Sequence, residues 1–426
     1  MTSWQPTPAL VRACLLGIGG AGLAIAIGQE VLAVLSAPFV VLAGAGLAGR
    51  PRGRPQVTTR LDHRRLHEGQ GTTSRLEVDD LAGVEHVTRV AARAAHVASQ
   101  PTYGSVGSLV ATGPPTIGLS PRRWGRRDVG AERVALTSPW AGWRWGPVHV
   151  PATSLLVLPR TAPYDGRAEV PQPDGLVGRH RSRRVGSGTE FEGIRHFATG
   201  DRLKRINWPV SLRTGELHVV TTRAEQDAGV WLVVDALRDI GVSGGIDGRP
   251  STLDLTVRAA AALAEHHVRT GDRVGLVVVT ANGTRVPLGS GPRHLQRLLG
   301  TLARTRTDAR STPPERLELG TESGSVVHVL SPMLSTPLVT ATASLQRGGT
   351  SVVVVDTLGD ALAVPDGAER LGLPALATRM QKVERDDRLR RLAALGAPVV
   401  PWRGPGTLDT VLQKLARRAQ VPRVRA

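Results

Sequence analysis

Between positions 188 and 217 the chain gathers the side chains best suited to proton transfer and ion pairing. Glu190, Arg195, Asp201, Arg205 and Arg213 fall within this one stretch, interleaved with Phe191, Gly200, Asn207 and Trp208. Carboxylates beside guanidiniums have two uses. They do acid–base or binding work in a cleft, or they form ion pairs and caps that hold a segment in place. Covalent catalysis needs a nucleophile within reach of a base, and no such pairing is evident here. The structural use is therefore expected, with Phe191, Phe197, Ile206 and Trp208 packed beneath the charges. Gly200-Asp201 and Thr214-Gly215 are turn pairs.

Other chemistries lack their motifs. No G-x-x-x-x-G-K-[ST] occurs, so the chain is not itself a P-loop ATPase, and no H-E-x-x-H occurs. Cys14 is the only cysteine, which excludes an intrachain disulfide and a C-x-x-C zinc site. His266 and His267 are adjacent, so on a helix they point about 100° apart. They are expected at the surface and not as joint metal ligands.

The elements that must position these residues divide the chain into regions. Residues 226–426 alternate strands with helices. Strands are expected at 230–235, 273–280, 325–330, 351–356 and 397–402, and helices at 251–270, 293–304, 337–347, 381–395 and 408–418. Ser251 and Asp254 form an S-x-x-D helix start, and Gly271 suits a helix end. Asn282-Gly283 predicts a hairpin into 284–288. Together these units predict an α/β fold with a doubly wound parallel sheet and one antiparallel strand. Residues 51–160 carry short alternating runs at 74–78, 84–91, 108–111, 133–137 and 155–158, the pattern of a β-sandwich. Trp140, Trp143 and Trp145 are read as core and edge packing. Residues 161–187 are a Pro-, Gly- and Arg-rich linker, and 188–225 form a separate segment before the sheet.

The first fifty residues differ from everything after them. Two apolar runs, 9–27 and 31–48, are separated by Gln29 and Glu30, and the only charge inside them is Arg12 near one end. A span needs about 20 apolar residues, with about 17 as a lower limit, so both are long enough to cross a membrane. A signal peptide and a buried hairpin are the competing readings; no A-x-A cleavage site follows the first run, and helices apolar on every face are unusual in a globular core. Arg50, Arg52, Arg54, Arg60, Arg64 and Arg65 follow the second run. By the positive-inside rule they stay in the cytoplasm, which places the soluble domains there and makes the chain a two-span protein of the cell membrane.

The formal net charge is +18 over 426 residues. Almost all the positive charge is arginine, with Lys204, Lys382 and Lys414 the only lysines, and aromatics are scarce. Basic charge without interleaved stacking residues does not point to nucleic acid. It suits membrane lipid or an acidic partner.

The stretch from Gly188 to Leu217 closely resembles the signature of the bacterial family called "domain of unknown function fifty-eight". Its pattern G-x-E-F-x-x-x-R, then G-D-x-x-R-x-I-D/N-W, then S-x-R is met by Glu190, Phe191, Arg195, Gly200, Asp201, Arg205, Asn207, Trp208 and Arg213. The resemblance implies two N-terminal spans, a β-rich region ending in a strand over 148–159 before the signature, and a von Willebrand factor A-like domain. Such domains often hold magnesium at a D-x-S-x-S loop with later Thr and Asp ligands. Here that loop reads Asp235-Ala-Leu-Arg-Asp239, and the later one has Ser331 followed by Pro332. By this comparison Asp235, Asp239 and Ser331 are left as the metal oxygens of a degenerate site, expected to be metal-free because hard cations need more oxygen ligands. The family is similar in organisation to proteins acting beside MoxR-type AAA+ ATPases in complex remodelling. The implied role is a non-enzymatic membrane scaffold with no cofactor. The alternative is a cell-envelope hydrolase or envelope-assembly factor using the Glu/Asp/Arg cluster.

Overall fold

A computed structural model describes residues 3–113, 115–160, 185–198, 203–223, 229–307, 317, 319–321, 325–359, 372–404 and 407. The chain divides into two compact units, Met1–Leu158 with Gly245–Asp247, and the remainder.

In the first unit a short strand β1 (Gln5–Pro6) leads into α1 (Pro8–Ile27) and α2 (Glu30–Ala48). Thr7 caps α1 by accepting the Leu10 N–H, Pro8 opens its first turn, and Gly28 closes it in the left-handed conformation at φ 72°. Small residues let the two helices approach. A Cβ added to Gly20 would lie 2.8 Å from Ser36 Cβ, and one on Gly17 would lie 3.0 Å from the Val40 nitrogen. Both helices are long and apolar enough to cross a membrane, and most of their large aliphatic side chains are exposed.

The strands that follow are β2 (Val57–Leu61), β3 (Arg65–His67), β4 (Thr72–Val78), β5 (His86–Ala91), β6 (Val97–Gln100), β7 (Ser105–Leu109), β8 (Thr116–Pro121), β9 (Gly125–Val129), β10 (Glu132–Thr137), β11 (Trp143–Val150) and β12 (Thr153–Leu158). They form sheets of order β1-β11-β10-β5-β7, β2-β4-β8-β6 and β3-β12-β9. One core gathers Leu76, Val87, Val134, Leu136, Trp143 and Trp145, and another gathers Leu61, Ile117, Leu119, Leu155 and Val157. The run read as one strand over 148–159 is two, because the chain turns at Pro151-Ala152 and passes to a different sheet. Trp143 and Trp145 are core residues as expected. Trp140 is not: it is 66% exposed at the tip between β10 and β11.

The second unit begins with β13 (Val185–His196), α3 (Trp208–Thr214) and β14 (His218–Arg223), the two strands pairing antiparallel. Next come β15 (Val230–Asp235), α4 (Thr252–Arg269), β16 (Val274–Val279), β17 (Thr284–Gly289), α5 (Pro292–Arg304), β18 (Val326–Ser331), α6 (Thr336–Arg347), β19 (Ser351–Asp356), α7 (Gly372–Ala394) and β20 (Val399–Pro401). The sheet order is β17-β16-β15-β18-β19-β20, parallel except for β17. One face, with Trp231, Val233, Val329 and Val354, packs on Leu338 of α6 and Leu392 of α7. The alanine run of α4, buried from Ala259 to Ala262, allows that helix close to the other face. The expected helix at 408–418 and residues 161–184 of the expected linker lie outside the described residues, while 185–187, expected in that linker, open β13 by pairing with β14.

Candidate functional site

The signature segment is organised by α3, which is only seven residues long and needs both its ends fixed. Asn207 is the N-cap, its Oδ1 accepting the Val210 N–H at 3.2 Å, and Pro209 sits in the first turn. Gly215 ends the helix at φ 77°. Ser211 takes the inward position. Its hydroxyl donates to Asn207 O at 2.8 Å and accepts the His218 N–H at 2.9 Å, tying α3 to β14. Thr214 Oγ1 donates to Val210 O at 3.0 Å. The His196 and His218 rings stack 4.4 Å apart across β13 and β14, with His196 Nδ1 3.0 Å from Glu216 Oε2.

The outward face differs from expectation. Phe197 and Ile206 are half-buried, but Trp208 is 58% exposed and does not pack beneath the charges. With Ser211 inward, Trp208 and Leu212, four residues apart, share the outer face, and Leu212 is 81% exposed. Leu203 and Leu217 are exposed beside them in sequence. Arg213 is exposed, and so is Arg195, whose guanidinium donates to His196 O at 3.0 Å. Gly200 and Asp201 lie outside the described residues, and of Glu190, Phe191 and Arg205 only the backbone is described.

The second constellation sits at the sheet's switch point. Order reverses between β15 and β18, and the crevice outside their carboxyl ends is where α/β sheets take ligands. Asp235 ends β15 and Ser331 ends β18. The Ser331 hydroxyl donates to Asp235 Oδ2 at 2.5 Å, Leu237 N donates to Oδ1 at 3.1 Å, and Met333 N donates to Ser331 Oγ at 2.8 Å. Burial pushes the Asp235 carboxyl above the usual range, against the pull of the Ser331 and Leu237 hydrogen bonds and of Arg238.

Asp239 goes elsewhere. Its carboxylate accepts from Ser251 Oγ at 3.1 Å, Thr252 Oγ1 at 3.3 Å and Leu253 N at 3.0 Å, at the positive end of the α4 dipole. Ser251 and Asp254 complete a capping box there. Asp239→Ala is expected to lower stability by about 1–2 kcal/mol in denaturant unfolding, the worth of a lost cap. Asp356, at the end of β19, pairs instead with Arg385 of α7, whose Nε also donates to Pro332 O at 2.7 Å. A cation would find one buried carboxylate already accepting two hydrogen bonds, with a guanidinium at the neighbouring strand end. That donor set does not fit a hard divalent ion, and among the described residues no three His, Cys, Asp or Glu side chains are grouped to hold a metal.

Gly241, Ser243 and Gly245 carry the G-x-S-x-G spacing of a nucleophile elbow. The elbow requires a sharp strand-to-helix turn, whereas this segment lies in the long loop from β15 to α4.

One buried group had no place in the expected site. His267 is not a surface residue: it is buried, with Nδ1 2.8 Å from Asp272 Oδ2 and its ring 5.3 Å from that of His328. His328 lies in the centre of β18 with no exposure, and neither of its ring nitrogens has a hydrogen-bond partner among the described residues. Burial, then the nearby His267 and His266, hold its pKa well below the ordinary histidine value. A histidine inside the apolar run Val326–Ser331 is the sequence signal that marks it.

Comparison with known proteins finds relatives of part of the chain. An uncharacterised protein of Mycobacterium tuberculosis (strain ATCC 25618 / H37Rv) is 34% identical over 137 residues, 30% of this chain and 41% of the relative. An uncharacterised protein of Mycobacterium bovis gives the same figures. The chain thus spans about two fifths of the length of the curated relatives it matches. No solved structure matches. Residues 193–392, which hold α3 and the switch-point crevice, match the family described as "Protein of unknown function DUF58", as the signature led us to expect.

Proposed function

We propose that the chain is a membrane-anchored, non-enzymatic adaptor that uses its signature segment to dock a partner protein. The observation that carries this reading is the outer face of α3. Its polar side chains Asn207, Ser211 and Thr214 are committed to bonds within the segment, while Trp208 and Leu212 are left in solvent. Aromatic and aliphatic anchors held on a fixed scaffold are what a protein interface buries at its centre. The partner we propose, on the family resemblance alone, is a MoxR-type AAA+ ATPase. The sheet order with its antiparallel β17, and Asp235 at the end of the first sheet strand, support the von Willebrand factor A-like reading of the second unit. Two apolar helices followed by arginines support anchoring with the soluble units in the cytoplasm.

The test is photo-crosslinking in intact cells from positions 208 and 212. An AAA+ ATPase is expected as the main crosslinked species, and the double variant Trp208→Ala, Leu212→Asp is expected to lose it. Because both side chains are exposed, the variant should unfold within about 0.5 kcal/mol of the parent. Crosslinks to envelope enzymes or lipid-linked precursors would turn the assignment to envelope assembly.

A further inference from the structure

We infer that the tip between β10 and β11 is a membrane-interface anchor, with Trp140 seated among the headgroups of an anionic bilayer. The inference rests on the membrane-anchoring reading and goes beyond it, because it assigns a second, non-helical contact with lipid.

Three parts of the first unit meet at one point. β1 pairs with the start of β11, Pro6 opposite Trp143, and the chain enters α1 directly from there. Thr7 then joins tip to helix. Its N–H donates to Gly142 O at 3.0 Å and its hydroxyl donates to Ala141 O at 2.5 Å, while the same oxygen accepts the Leu10 N–H at 3.2 Å. The end of α2 closes on the same place. Trp143 Nε1 donates to Gly46 O at 2.8 Å, and a Cβ on Gly142 would lie 3.0 Å from Gly46 Cα. The tip is therefore fixed at the level of the first turn of α1 and the last turn of α2.

That level is set by length. The 20 residues of α1 rise about 30 Å, the thickness of a bilayer's hydrocarbon core. The helix ends, and the tip locked to them, come to lie in the interfacial layer. Trp140 projects there, 66% exposed, from a backbone held at φ 63°, with Ala141 following at φ 50°. Left-handed backbone is uncommon for a bulky residue and costs free energy that surrounding contacts must offset. Tryptophan with one wet edge and one apolar face prefers this layer of a membrane.

The charges around the tip fit the same occupant. Arg144 is exposed just past the tip, and Arg50, Arg52 and Arg54 are exposed in the segment that leaves the end of α2, Arg50 lying 4.8 Å over the Trp143 ring. Arg12, exposed in the first turns of α1, reaches the same level by extending its side chain outward. Guanidiniums at this level are drawn to anionic headgroups at about 1 kcal/mol per charge.

The test is spin-label depth in the full chain, reconstituted into vesicles of mixed phosphatidylcholine and phosphatidylglycerol. In a Cys14→Ala background, cysteine replaces Trp140 or, in a second variant, Ala141, and each carries a nitroxide. Two further labels serve as references. Ile18, exposed on α1, reports the bilayer interior, and Tyr103, exposed at the opposite end of the five-stranded sheet, reports water. Expected at 140 and 141 is a collision rate with a water-soluble nickel chelate about tenfold below that at 103, with oxygen accessibility between the two references. If 140 and 141 match 103 while 18 is protected, the anchor is overturned and the spans stand. If 18 also matches 103, the spans fail and the anchor falls with them.

Discussion

Replacing Arg89 by alanine is expected to destabilise the β-rich unit by about 3–5 kcal/mol, a large share of the stability of a domain this size. Arg89 lies on β5 with no exposure and spends all five of its N–H groups. Nε and Nη2 donate to the Glu132 carboxylate at 2.9 and 3.1 Å. Nη1 donates to Ser74 O at 3.0 Å and Pro115 O at 2.6 Å, and Nη2 also reaches Ser74 Oγ at 2.8 Å. Thr59 Oγ1 donates to the same carboxylate. Arg89 and Glu132 belong to the five-stranded sheet, Thr59 and Ser74 to the four-stranded one, so the cluster is a polar bridge between two sheets.

Removing only the guanidinium leaves Glu132 buried and negative with no cation, and strands the acceptors at Ser74 and Pro115. The double variant Arg89→Met, Glu132→Leu separates these terms. It removes both charges and keeps the volume, so the charge penalty disappears. What remains is the cost of the orphaned acceptors, about 1 kcal/mol each. The double variant is therefore expected to lie between the parent and Arg89→Ala in denaturant unfolding of the full chain in detergent. A double variant as unstable as the single one would mean that the bonds to Ser74 and Pro115, and not the ion pair, dominate.

Features that depend on near neighbours were legible in the sequence. Ser251 and Asp254 announced the start of α4, and Asn282-Gly283 announced β17, because caps and tight turns are decided by a few adjacent residues. The strand–helix alternation over 226–426 likewise follows from apolar periods. Features made by distant contacts were not. Asp235 and Ser331 meet across 96 positions only because β15 and β18 are sheet neighbours. Asp239, equally suited to a metal, was drawn instead to the donors of α4. Trp208 was expected in the core because aromatics usually go there, yet which face of a seven-residue helix turns inward was settled by Ser211. His267 was expected at the surface because a run of alanines does not reveal that α4 is buried on most sides. The turn at Pro151-Ala152 escaped because both halves of 148–159 are apolar and extended, and only the change of sheet separates them.

The other large effect expected is a loss of stability in mild acid, traceable to His328. Its folded pKa lies well below the ordinary histidine value, whereas in the unfolded chain it returns to about 6.5. Below that pH the unfolded state binds a proton that the folded state refuses. Stability contributed by the neutral ring is thus complete above the unfolded value. As the pH falls beneath it, that stability is lost by about 1.4 kcal/mol per unit until the lowered folded pKa is reached. The loss attributable to this one group therefore sets in just below the ordinary histidine value, where the unfolded ring takes its proton and the buried one does not. The chain holds 12 histidines, so the informative quantity is the difference between parent and His328→Leu. Leucine cannot take the proton, and the slope of stability against pH below about 6.5 should be flatter in the variant. At neutral pH the variant should be as stable as the parent or more so, because the ring nitrogens it removes have no partners among the described residues. Equal acid slopes in the two proteins would mean that His328 is protonated within the fold. In that case a charged ring would have to be accommodated beside His267, His266 and the Asp272 carboxylate that His267 already engages.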